Sequence, residues 1–136
     1  RQFAVMEATV TASGGPVPPP LSMAGEELLF SGPNEMTPGL KEDGATYGLG
    51  LLVRCWGLVR STGMSDSRGP YFHLDDGSEL DDGSGITGLR VRCSGAWPPV
   101  GATVSATGVA AMESIAGRMS PVLTTRFPSD VRILLP

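Results

Sequence analysis

From Leu51 onward, apolar and polar residues alternate in short bursts cut by Gly, Pro and Asp, the period of two that belongs to strands with one buried face. The pattern predicts a long strand over 49–60, shorter ones over 70–74, 88–93, 103–112 and 119–127, and a terminal piece over 131–135. No stretch carries a convincing helical period, so the fold class is all-β, and strands of this number and spacing predict a small closed barrel. Gly57, inside the first long strand, predicts a bend or bulge. Alternation also assigns faces. Val53, Cys55, Val59, Phe72, Leu74, Leu89, Val91 and Cys93 fall inward, and Arg54, Trp56, Tyr71, His73, Arg90 and Arg92 fall outward.

Upstream, Phe3, Val5 and the run Ala8 to Val10 predict a separate strand. Ser13 to Pro20, with three consecutive prolines, predicts an extended linker without amide donors, so 1–20 reads as a strand-bearing arm. Over 21–48 the apolar residues between Leu21 and Phe30 predict a short packed segment, because Gly25 and Pro33 work against a helix; a Gly-, Pro- and acid-containing loop follows. The barrel occupies 49–136.

With 136 residues the chain has room for one domain and an extension. Gly (19) and Pro (12) are plentiful but stay below the level of disordered chains, and 40% apolar residues can fill a core. A net charge of -4 argues against broad phosphate binding, although nine Arg against one Lys suit local pairing and stacking. The chain begins at Arg1, which predicts a processed or excised segment, and no apolar run is long enough to predict membrane insertion. Cys55 and Cys93 can form one disulfide or remain two buried thiols; neither sits in a metal-binding spacing.

As a set, Leu51-Leu-Val-Arg-Cys-Trp-Gly-Leu-Val59, Tyr71-Phe-His-Leu-Asp-Asp-Gly-Ser78, Gly88-Leu-Arg-Val-Arg-Cys93, Val100-Gly-Ala-Thr-Val-Ser-Ala-Thr-Gly108 and Ser129-Asp-Val-Arg-Ile-Leu134 resemble OB-fold modules of large secreted bacterial proteins. Pro20-Leu-Ser-Met23 resembles an element that often precedes such modules. The chain departs from the pattern at His73, where Tyr is common, and at Ala102, where an acid is common. The resemblance implies a five-stranded OB-fold Greek-key barrel and a bacterial, extracellular or cell-surface setting. The nucleic-acid-binding label attached to this fold describes architecture and does not assign a ligand.

The outward set Arg54, Trp56, Tyr71, His73, Arg90 and Arg92 can stack a single-stranded nucleic acid or an oligosaccharide, or can meet a protein neighbour. The repeated Asp-Asp-Gly-Ser places Asp75, Asp76, Asp81 and Asp82 close in sequence, where Ca²⁺ ligation competes with turn chemistry. Asp-Gly is common hairpin punctuation and the ligand spacing of a Ca²⁺ loop is missing, so turns are favoured and no metal is expected. His73 is the sole histidine and has no nucleophile beside it in sequence, so neither catalysis nor a cofactor is expected. The tethered strand can fold back on its own barrel or pair with a neighbour's edge, and head-to-tail donation of that kind does not close. The leading expectation is therefore a non-catalytic structural module that self-associates, as a filament subunit or with neighbouring modules of the same surface protein, through Phe3, Val5 and Val10. The alternative is a binding module for nucleic acid or glycan on the outward set.

Overall fold

A computed structural model of the chain describes residues 14–25, 28, 50–95 and 97–136. Among the described residues the strands are β1 (Leu21–Ser22), β2 (Leu52–Asp66), β3 (Gly69–Asp75), β4 (Leu89–Arg92), β5 (Thr103–Ile115), β6 (Arg118–Thr124) and β7 (Val131–Leu135), with a 3-10 turn at Pro128–Asp130. They form one mixed seven-stranded sheet in the order β1-β2-β3-β4-β6-β5-β7. An additional β2–β5 pairing brings the order back on itself, so β2, β3, β4, β6 and β5 make a partial ring. Every ring contact is antiparallel except β4 with β6, a parallel seam from Arg90↔Val122 to Arg92↔Thr124.

Two long strands curve the sheet by changing partners midway. Residues Leu52 to Leu58 of β2 pair with β5, and Leu58 to Asp66 pair with β3. Likewise, Thr103 to Val109 of β5 pair with β2, and Val109 to Ile115 pair with β6. A glycine stands at each changeover. A Cβ on Gly57 would lie 2.2 Å from the Asp75 carbonyl oxygen, and one on Gly108 would lie 2.4 Å from that of Thr124. The ends of β3 and β6 thus cross the bends at a distance that only a residue without a side chain permits. The bend expected at Gly57 is present. The first strand nevertheless runs through Asp66, well past residue 60, because pairing with β3 carries the chain across two register shifts where alternation has already lapsed.

All the residues assigned inward are buried, from Val53, Val59, Phe72 and Val91 at 0% exposure to Cys93 at 7%. They pack into one core with Val104, Ala106 and Leu123. Met23 and Leu28 of the upstream segment join them, held by the parallel pairing of Leu21 and Ser22 with Val53 and Arg54. No disulfide links Cys55 and Cys93, and both are buried. Burial pushes the Cys93 thiol above its ordinary pKa. The arm strand expected around Phe3, Val5 and Val10, and the loop expected over 31–48, lie outside the described residues. Among the described residues no helix is long and apolar enough to cross a membrane.

Candidate functional site

β3 and β4 place Tyr71 opposite Arg92 and His73 opposite Arg90, on the side of the sheet away from the core. Alternation alone leaves these four residues in solvent, and the structure corrects that: Tyr71 is 8% exposed, His73 0%, Arg90 4% and Arg92 7%. Among the described residues the cover comes from three places. The loop after β3 returns across the face and sets Asp82 against it, the far end of β2 contributes Asp66, and the far half of β5 contributes Glu113.

Arg92 holds two carboxylates at once. Its Nε and Nη2 donate to Glu113 at 2.9 and 2.7 Å, Nη1 and Nη2 donate to Asp66 at 2.9 and 2.8 Å, and Nη1 also reaches the Gly69 carbonyl at 3.0 Å. Arg90 donates to Asp82 through Nε and Nη2, and to Asp66 through Nη1 at 3.1 Å. Both guanidinium groups lie over the Tyr71 ring, 4.1 Å and 5.4 Å from its centre. Hydrogen bonds to Glu113, set against the cost of burial, hold the Arg92 guanidinium more firmly protonated than usual. Burial works against ionising Asp82, but hydrogen bonds from His73 and Ser84 outweigh it and hold the carboxyl well below the usual carboxylate range. A cavity of about 260 Å³ borders the network beside Asp66, Arg68 and Glu113. The two buried arginines facing it are already paired with carboxylates, so their charge is committed within the protein. Of the six residues proposed for stacking a ligand, Arg54 and Trp56 stay on the exposed surface, with Arg54 donating to the Thr107 hydroxyl at 3.1 Å.

His73 joins this network to β2. Its Nδ1 lies 2.7 Å from the Ser61 hydroxyl oxygen, and its Nε2 lies 3.1 Å from an Asp82 carboxylate oxygen. Sequence spacing missed this Ser, His and Asp grouping, because Ser61 sits in the irregular half of β2 and meets His73 only through strand register. The imidazole is fully buried, and the Asp82 oxygen it faces also takes two bonds from Arg90. What the grouping does in this geometry is tie the loop after β3 to the sheet.

The paired Asp-Asp-Gly-Ser segments are turns. Asp75 and Asp81 accept from the amides of Gly77 and Gly83, and Asp76 and Asp82 accept from those of Ser78 and Ser84. Their remaining bonds diverge: Asp75 pairs with Arg60 at 2.7 Å, Asp76 accepts from the Gly25 amide, and Asp82 faces His73 and Arg90. Among the described residues no three potential metal ligands converge.

A second feature was only half legible in the sequence. The terminal strand forms where expected, but β7 pairs with β5 alone and is an edge of the sheet as described. It follows β6 along the same side of β5, since Thr103 to Ala106 have β2 on the other side. Ile133, Leu134 and Leu135 are 54%, 54% and 65% exposed, and Trp56, two strands away across Ser105, is 51% exposed. An apolar edge with no partner among the described residues is the arrangement that soluble proteins usually cover or charge. Comparison of the chain with protein-family models, with curated proteins and with solved structures gives no match.

Proposed function

We propose that this chain is a non-catalytic structural module that associates with copies of itself, or with neighbouring modules of one surface protein, by adding its N-terminal strand to the next barrel. The observation that carries the reading is the open β7 edge with its exposed aliphatic side chains, in a sheet whose other long strands are paired on both sides for part of their length. Support for a donor comes from the apolar Phe3, Val5 and Val10, carried ahead of a proline-rich tether. The outward face of β3 and β4 favours this reading over ligand binding, because its aromatic and Arg side chains are consumed by internal pairs. On the same reading the partial ring is an OB-type Greek-key barrel, supported by its five strands and by the motif resemblance, which also supports an extracellular setting.

The test is negative-stain electron microscopy and light scattering of the full chain beside the chain lacking residues 1–12. Filaments or oligomers that need the arm are expected. Monomers in both samples would overturn self-association.

A further inference from the structure

Resting on that reading, the geometry points to a specific acceptor and register. We infer that β7 receives residues 3–9 of a second copy, added antiparallel, with Glu7 opposite Arg132 and Val5 opposite Leu134.

The faces of β7 follow from its pairing. Arg132 lies opposite Ser105, which lies opposite Trp56, so Arg132 takes the outer face; Ile133 lies opposite the core residue Val104 and takes the inner one, and a register shift follows before Leu135 meets Thr103, which leaves Leu134 as the extra residue of the strand. In the inferred register Glu7 meets the exposed Arg132, Val5 meets Leu134, Met6 meets Ile133, and the small Ala8 meets the partly covered Val131. Both exposed leucines and the isoleucine then gain an apolar neighbour, and the one cation of the strand gains an anion.

Neighbouring registers lose this match. A slip of one residue turns the donor over and sends Glu7 to the inner face. A slip of two in one direction sets Glu7 against Asp130, and in the other sets it against Leu134. An antiparallel ladder is also slightly the more stable kind.

The experiment mixes two single variants of the full chain, Val5→Cys and Leu134→Cys, under mild oxidation, beside an off-register mixture of Val5→Cys and Arg132→Cys. The native thiols are buried and common to both mixtures. Preferential disulfide dimers in the first mixture are expected. A charge exchange adds a second readout: Glu7→Arg or Arg132→Glu alone weakens association about fivefold or more, and the two together restore it. Equal cross-linking in both mixtures with no rescue overturns the register. Association with no β7 cross-link overturns this inference and leaves self-association standing. A cross-link found only within single chains of a Val5→Cys/Leu134→Cys double variant, with none between chains, overturns self-association itself.

Discussion

Replacing Arg92 by Met tests whether the covered face is a closed charge network or an open binding surface. Methionine keeps much of the aliphatic stem and removes the guanidinium, which lies over the Tyr71 ring and holds both carboxylates. Glu113, with its side chain 11% exposed, then loses its paired bonds, and Asp66, 32% exposed, loses two of its own. Leaving a buried charge without its partner costs about 3–5 kcal/mol, and the partial exposure of Asp66 places Arg92→Met at the lower end, about 3 kcal/mol. That is a large fraction of the ~5–15 kcal/mol that holds a domain of this size together. With a urea dependence of about 2 kcal/mol per molar, the unfolding midpoint falls by about 1.5 M, read by circular dichroism. Adding Glu113→Leu and Asp66→Asn to the same chain recovers much of the loss, because the orphaned charges are gone. A loss below about 1 kcal/mol, the range of exposed ion pairs, would refute the reasoning and return Arg92 to solvent as a ligand contact.

Acid provides an independent readout of the network carboxylates Asp66 and Asp82 and of the Arg60–Asp75 pair. Asp66, Asp75 and Asp82 have folded pKa values below their ordinary ones, so the stability they supply is fully present above pH ~4 and is lost as pH falls through the depressed folded values. Unfolding free energy should therefore drop steeply on acidification below about pH 4, and Asp82→Asn should be less stable at pH 7 with a shallower acid limb; an unchanged limb would remove Asp82 from the network. For the bends, Gly57→Ala forces a Cβ into the Asp75 carbonyl and should cost about 3 kcal/mol or prevent folding. Gly63→Ala is its control: it meets nothing within 4 Å but sits at φ +68, so it should cost about 1–2 kcal/mol in thermal or urea unfolding, and equal losses would discount the close approach.

The hydrophobic period by itself determined the strand identities, the inward set from Val53 to Cys93, the bend at Gly57 and the turns at Asp76-Gly77 and Asp82-Gly83, because each follows from near neighbours along the chain and the two-residue geometry of a strand. It also separated Tyr71, His73, Arg90 and Arg92 from the core. What it could not supply was their cover. Asp82 lies nine residues from His73, Glu113 twenty-one from Arg92 and Asp66 twenty-six, and these meet only when the loop after β3 folds back and two long strands overshoot the ring. A period of two distinguishes the faces of a sheet and says nothing of what lies across the second face. The same limit applies at β7. Its sequence, Val-Arg-Ile-Leu-Leu, reads equally well as an interior strand. Only the tertiary pairing, with β5 on one side and no described strand on the other, makes it an exposed edge, because strand order is set by contacts far apart in sequence.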